Sequence, residues 1–388
     1  MNSGRTVFAQ LMEFLPLADF RQCVKRHQGN FKVQKFSCLD QFLCLAFAQL
    51  TFRESLRDIE VCLRVLGPKL YHMGFRSLVS RNTLAHANET RDWRIYADFA
   101  QGLIQEARRL YAGDTLGMKL SRTAYALDAT TIDLCLSVFP WARFRSTKGG
   151  IKVNTLLDLR GSIPAFVHIC AAKMHEVNVL DQIQFEAGAF YLLDRAFLDF
   201  ARLYRIHQSR GFFIIRTKKN LVFARRYSRA VNKTTGVRFD QTITLSTFRS
   251  AKGYPEPLRR VGYFDPKTEK RLCFLTNNFD LSPLTIARLY RARWKVELFF
   301  KWLKQHLRIK AFYGRSENAV KTQTWTAITV YILVAIVKKK LGLSLSLYTI
   351  LQILSVSLLE KEPLITILSE NNRLAKDIGP EKQLFLFD

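Results

Sequence analysis

From Thr123 onward the hydrophobic pattern of this chain changes from a helical to a strand period, and that change most limits the folds open to it. Ala124 to Leu127, Ile151 to Leu157 and Ile163 to Ile169 read as three strands, the last two joined by a turn at Asp158-Leu159-Arg160-Gly161. Phe190 to Leu193 reads as a fourth. Upstream, to about Ser80, apolar residues recur at helical spacing, as in Phe42-Leu43-Leu45-Ala46-Phe47-Leu50 and Leu56-Ile59-Leu63. That segment also carries Arg21, Lys25, Arg26, Lys32 and Lys35, and it reads either as a small helical DNA-binding domain or as a helical oligomerisation module. Ser80-Arg81-Asn82-Thr83 predicts a capped helix running through Tyr96 and Phe99 to Tyr111.

Two of the strands run straight into a carboxylate. Asp128 follows Tyr125-Ala126-Leu127, and Asp194 follows Phe190-Tyr191-Leu192-Leu193. Asp133 is an alternative near the first strand, but it lies past Thr130-Thr131, outside the apolar run. Asp158 reads as a turn residue. A third carboxylate, Glu297, sits in YRARWKVELFFKWLK, where Tyr290, Arg293, Glu297, Lys301 and Lys304 step by three or four and share one face of a helix. Alone, that face is an ordinary ion-pair ladder, worth a few tenths of a kcal/mol per pair, on the order of 0.2–0.5. Two aspartates at the ends of neighbouring strands change its meaning. With a glutamate on a following helix they form the oxygen-rich, negative site that a pair of Mg²⁺ ions needs.

Between Asp194 and Glu297 lie short β-type runs: Gly211 to Ile215, Leu221 to Ala224, Gln241 to Leu245, Arg260 to Phe264 and Leu272 to Leu275. Basic or Gly/Pro turns separate them, as expected of an antiparallel insertion. Ser282-Pro283 marks the next helix start, serine as cap and proline at the first helical position. After Gly314 the pattern is helical to about Leu368.

Sixty Lys and Arg against 32 Asp and Glu give a formal charge of +28 over 388 residues, which favours a polyanionic partner. A membrane is the rival polyanion. The longest apolar run, Trp325 to Val337, is shorter than the roughly 18–20 residues a bilayer requires and predicts a buried helix. MNSGRTVFAQLMEFLP lacks the apolar core and cleavage site of a signal peptide, so a cytoplasmic protein is expected. The seven cysteines show no C-x-x-C pair, and His175-Glu176 has no second histidine at metal spacing; reduced thiols are expected, without a zinc site.

Around these carboxylates the chain resembles the DDE transposases of bacterial insertion sequences, in the branch with a Tyr-Arg-Glu-Lys signature. That signature places two residues between Tyr and Arg, three between Arg and Glu and six between Glu and Lys, and Tyr290, Arg293, Glu297 and Lys304 meet it. Leu127-Asp128-Ala129-Thr130-Thr131, Asp194-Arg195-Ala196-Phe197 and the N-terminal helical region are also similar to the family's. The resemblance implies an α/β fold: a ribonuclease-H-like mixed sheet with flanking helices, an antiparallel β insertion before the catalytic Glu, and helical N- and C-terminal regions. The implied divisions are a helical, DNA-binding 1–80, a helical connector 81–122, catalytic core in 123–205 and 282–340 interrupted by the insertion 206–281, and a helical 341–388.

It further implies Mg²⁺-dependent strand cleavage at element ends and strand transfer, with Asp128, Asp194 and Glu297 as catalytic residues holding two Mg²⁺ ions, Mn²⁺ being a substitute. Tyr290, Arg293 and Lys304 would contact the DNA end, and Lys301 the backbone in general. The implied partners are double-stranded DNA, as terminal inverted repeats and target, and a second copy of the chain in the DNA complex, with no membrane and a nucleoid-associated location. The alternatives are a nuclease without strand joining and a non-catalytic DNA-binding protein. Two departures stand out: no tryptophan occurs from Arg195 to Arg293, where some relatives stack a flipped base, and Asn154 stands where relatives often have histidine.

Overall fold

A computed structural model of the protein describes residues 4–116, 120, 122–143, 145, 148–217, 220–306 and 312–369. The chain divides into two compact units, one of Met1–Ala112 with Lys301–Asp388 and one of Gly113–Phe300. Of the predicted C-terminal helical region, residues 370–388 lie outside the described residues.

The first unit opens with α1 (Val7–Met12), α2 (Leu17–Arg26), α3 (Cys38–Leu50), α4 (Leu56–Val65), α5 (Arg81–Thr90) and α6 (Arg94–Leu110). Ser37 caps α3 in a capping box with Asp40, and Ser80 caps α5 through the Thr83 N–H. The single helix predicted from Ser80 to Tyr111 is therefore two, α5 and α6. Arg91 between them is extended, at φ −80° and ψ 133°. The break is satisfied by one side chain: Asn318 donates to the carbonyls of Asn88 (2.9 Å) and Arg91 (2.6 Å) and accepts from the Trp93 N–H (3.1 Å). Such a break is invisible locally because its hydrogen-bond partner is more than two hundred residues away.

The second unit carries β1 (Ala124–Leu134), β2 (Gly149–Asp158), β3 (Ile163–Ala171), β4 (Phe190–Leu193), α7 (Phe200–Gln208), β5 (Phe212–Arg216), β6 (Phe223–Arg229), β7 (Val237–Leu245), α8 (Phe248–Gly253), β8 (Leu258–Asp265), β9 (Lys270–Thr276) and α9 (Pro283–Ala292). α10 (Trp294–His306) begins in it. All nine strands form one sheet in the order β3-β2-β1-β4-β5-β9-β8-β7-β6. β1, β4 and β5 are parallel, and β2 runs antiparallel between β1 and β3. That is the mixed, ribonuclease-H-like arrangement expected. Phe212–Arg216, counted in sequence with the insertion, is instead the fifth strand of this arrangement, parallel to β4. The insertion strands do not form a separate sheet: β9 pairs antiparallel with β5 and continues the same sheet out to β6.

Side-chain alternation divides the sheet's faces. Tyr125, Leu127, Tyr191, Leu193, Phe213 and Ile215 join a buried cluster with Leu203 and Ile206 of α7. The intervening residues, Ala126 and Leu192 followed by Asp128 and Asp194, face the other side.

The first unit resumes with α11 (Glu317–Lys340) and α12 (Leu347–Ser357). At 24 residues, α11 exceeds the apolar run read from sequence and is long and apolar enough to cross a bilayer, yet 94% of its apolar window is buried inside the protein. It packs against α3, α5, α6 and α12. The Tyr111 hydroxyl donates to the Ala335 carbonyl at 2.8 Å, and Thr324 and Thr329 bond back to carbonyls one turn earlier, while the Thr322 and Thr326 hydroxyls and the Trp325 indole N–H are buried without a hydrogen-bond partner among the described residues.

Candidate active site

The β1–β4 ladder ends at the pair Leu127 and Leu193, so Asp128 and Asp194 are the next residue on each of two adjacent parallel strands. Sequence ends the first strand at Leu127. In the structure β1 continues through Leu134, paired only with β2, because Thr130, Thr131 and Ile132 are β-branched residues suited to an extended ladder. Asp128 thus lies where one neighbour stops and the other goes on. Its Oδ1 accepts from the Ala129 N–H at 2.8 Å.

Ser282 caps α9 through the Thr285 N–H, with Pro283 at the first position. α9 stops at Ala292, and α10 restarts at Trp294. The single helical face predicted for Tyr290 through Lys304 is therefore interrupted at Arg293. Bonds spanning three residues, Arg293 N–H to Tyr290 O (3.1 Å) and Val296 N–H to Arg293 O (3.0 Å), replace the regular α ladder there. Tyr290 ends α9, Arg293 is the joint, and Glu297 lies in the first turn of α10.

Tyr290 and Arg293 reach the two aspartates, and Arg293 links one of them to Glu297. Arg293 Nη1 donates to Asp128 Oδ2 at 3.1 Å while its Nη2 donates to Glu297 Oε1. The Tyr290 hydroxyl donates to Asp194 Oδ1 at 3.3 Å, and the Arg293 guanidinium lies over the Tyr290 ring, 5.8 Å from its centre. Burial, with Glu297 and Asp194 nearby, pushes the Asp128 carboxyl up to about 6 against the opposing pull of Arg293 and the Ala129 N–H. Burial likewise pushes Tyr290 up to about 12. Burial disfavours the charged Arg293, but Asp128, Tyr290 and Glu297 outweigh it and hold the guanidinium above its ordinary range.

Lys301 is exposed and Lys304 half-buried further along α10, in residues that belong to the first unit. Asp133 is exposed and, five positions past Asp128, faces the opposite side of β1. Asp158 closes β2, pairing with Arg160 at 2.9 Å and accepting its N–H, as a turn residue should. Asn154 lies opposite Ala129, on the face away from Asp128, and donates to the His168 carbonyl at 3.3 Å. One neighbour escaped the sequence reading. Thr155 lies directly opposite Asp128, fully buried, its hydroxyl without a hydrogen-bond partner among the described residues. Strand register alone reveals it.

Among the described residues no three or more His, Cys, Asp or Glu gather as a metal-ligand group. Asp128 and Glu297 instead share a guanidinium, a cation held between carboxylates. Three carboxylates with no thiolate or imidazole are the donor set of a hard divalent ion, so the chemistry fits Mg²⁺ or Mn²⁺.

A family model described as a transposase DDE domain matches residues 119–333, which contain Asp128, Asp194 and the whole of Tyr290 to Lys304. The chain belongs to the DDE transposase family. A second model, a domain of unknown function (DUF4372), matches residues 3–76. The chain is 31% identical over 219 residues to a putative transposase, y4zB, of Sinorhizobium fredii, covering 54% of this chain and 59% of the relative. It is 30% identical over 237 residues to a probable transposase for insertion sequence element IS5377 of Geobacillus stearothermophilus, covering 59% and 61%. The matched stretch thus spans about three fifths of each of these two relatives. A putative transposase for insertion sequence element IS4SA of Synechocystis is 21% identical over 327 residues, covering 82% and 88%. The cryo-EM structure of the piggyBac transposase synaptic complex with hairpin DNA aligns with a TM-score of 0.46 at 10% identity, covering 96% of this DDE transposase and 82% of that chain.

Proposed function

We propose that this DDE transposase cleaves DNA strands at the ends of a mobile element and joins them to target DNA in a divalent-metal-dependent reaction. One observation carries the proposal: within the matched domain, Tyr290 bonds Asp194 and Arg293 links Asp128 to Glu297 at the open end of the β1–β4 ladder. Asp128, Asp194 and Glu297 would hold the ions. Bound there, a pair of Mg²⁺ ions, or Mn²⁺ in its place, would activate the attacking hydroxyl and stabilise the leaving oxygen of an in-line displacement at phosphorus.

The protein's own groups do the positioning. Arg293 presents a planar fork suited to phosphate, and Tyr290 offers a hydroxyl and a ring face beside it. Lys304 would hold the DNA end and Lys301 its backbone; the spacing of Tyr290, Arg293, Glu297 and Lys304 supports the Tyr-Arg-Glu-Lys branch. The partners in this reading are double-stranded DNA, as terminal inverted repeats and target, and a second copy of the chain in a dimeric DNA complex, in the cytoplasm at the nucleoid.

The test uses duplexes carrying the boundaries of the element that encodes the chain. Mg²⁺-dependent nicking at the boundary is expected, followed by joined product. Asp128→Asn, Asp194→Asn and Glu297→Gln should each abolish nicking while duplex binding persists, because a lost ligand charge weakens the ion site far more than a basic surface. Nicking by Asp194→Asn at the wild-type rate refutes the site. Nicking without any joined product identifies a nuclease, and binding without nicking a DNA-binding protein.

A further inference from the structure

We propose that Arg293 is an internal counter-cation that occupies the carboxylate cluster until DNA draws it away, so that divalent-ion loading and DNA binding are coupled through this one side chain. Arg293 has this role only if the carboxylates hold a divalent ion, as proposed above.

The guanidinium is engaged in two directions at once, Nη1 on Asp128 Oδ2 at 3.1 Å and Nη2 on Glu297 Oε1. These carboxylates come from β1 and α10, so the arginine ties the sheet to the helix. Its side chain is only 12% exposed. A divalent ion binding the same oxygens at about 2.0–2.1 Å would meet a fixed positive charge within hydrogen-bond distance of its ligands. The two cations compete for one site.

Arg293 is nonetheless incompletely satisfied. Its Nε is buried without a hydrogen-bond partner among the described residues. A buried unpaired donor is costly, and an arginine selected only to brace two carboxylates would be expected to use it. A phosphate accepts Nε and one Nη together in the bidentate geometry that carboxylates also use, and would engage the donor left over here. Arg293 is also the joint between α9 and α10, where three-residue bonds to Tyr290 and from Val296 hold its backbone. Tyr290 completes the arrangement, its hydroxyl on Asp194 and its ring beneath the guanidinium. The Tyr-Arg pair thus covers an oxygen of each of the three carboxylates.

Linkage fixes the consequence. If a DNA phosphate binds the released Arg293 and the ion binds the vacated carboxylates, each ligand raises the other's affinity by the same factor. The protein would load ions weakly when free and more tightly on DNA.

The decisive measurement is Mn²⁺ binding to the full-length, metal-free protein by calorimetry, comparing wild type with Arg293→Gln. Without DNA the variant should bind Mn²⁺ about tenfold tighter, within the range usual for coupled sites. A short random-sequence duplex should tighten Mn²⁺ binding to wild type and have a smaller effect on the variant. Arg293→Lys, which keeps the charge but not the fork, should fall between, and it takes over the comparison if thermal melts show the Gln variant unfolded. Equal Mn²⁺ affinity in wild type and Arg293→Gln, or weaker binding by the variant, overturns the coupling. Asp128→Asn separates that failure from a deeper one: Mn²⁺ binding unchanged by Asp128→Asn means the ion does not use these carboxylates, and removes the functional reading with it.

Discussion

Asp128 shows how one buried carboxyl makes a site depend on pH. Burial, with Glu297 and Asp194 close by, raises it from an ordinary 3.8 to about 6. Because the folded value lies above the unfolded one, its stabilising contribution is fully present below about pH 4 and is lost as pH rises through about 6. A divalent ion held by Asp128, as proposed above, would need the ionised form, so protons and ions would oppose each other in the same window. Stabilisation of the fold by Mn²⁺ should therefore be larger at about pH 7 than at about pH 5, and Asp128→Asn should abolish that difference. Thermal melts with and without Mn²⁺ at the two pH values measure it; an equal shift at both would place the ion elsewhere. At this scale much was legible. Asp128, Asp194 and Glu297 announce themselves by charge next to apolar runs, whereas Thr155 is an unremarkable residue in a β run until the register sets it opposite Asp128.

Elements were less legible where tertiary contacts decide their ends. Nothing in Tyr290-Arg291-Ala292-Arg293-Trp294 breaks a helix by propensity, with neither proline nor glycine present. The interruption accompanies Arg293's reach to Asp128, 165 residues away in sequence. β5 did carry a sign: Phe212-Phe213-Ile214-Ile215 is apolar on both faces, as buried parallel strands are, unlike the polar FARRYSR of β6. One buried ion pair of the insertion also braces the segment that leads into α9. Arg259 of β8 meets Asp240 of β7 at 2.8 Å, both about 3% exposed, and donates to the carbonyls of Asn278 (3.3 Å) and Leu281 (2.6 Å) just before α9. Asp240→Ala leaves that guanidinium buried without its carboxylate, at a cost of about 3–5 kcal/mol. We expect a lower melting temperature together with reduced nicking, since the segment leading to Tyr290 loses its tether. A variant that melts like wild type would show the pair to be dispensable.

At the scale of the whole chain, the two compact units could not be read from order along the sequence. The first joins helices from both ends of the chain, with α11 packed on α6 across more than two hundred intervening residues, while the second is continuous. Hydrophobic period identifies a helix but not which distant helix it will meet. Charge is different, because it is additive and needs no partner to be counted. The +28 excess includes Arg225 and Arg226, exposed on β6, the outermost strand of the sheet, beside Tyr227 at 61% exposure. Cations on an edge strand discourage sheet-to-sheet pairing whatever else they do, so the surface charge alone does not establish a duplex as the partner. Salt dependence separates the two roles. Neutralising about six phosphates releases condensed counterions, and duplex affinity should then fall about a thousandfold between roughly 50 and 200 mM salt. Replacing both arginines, Arg225→Ala with Arg226→Ala, should flatten the slope of log affinity against log salt by about two contacts if β6 lies on the backbone. An unchanged slope with increased self-association would assign the two residues to edge protection instead, and affinity that ignores salt altogether would exclude a phosphate backbone as the partner of this charge.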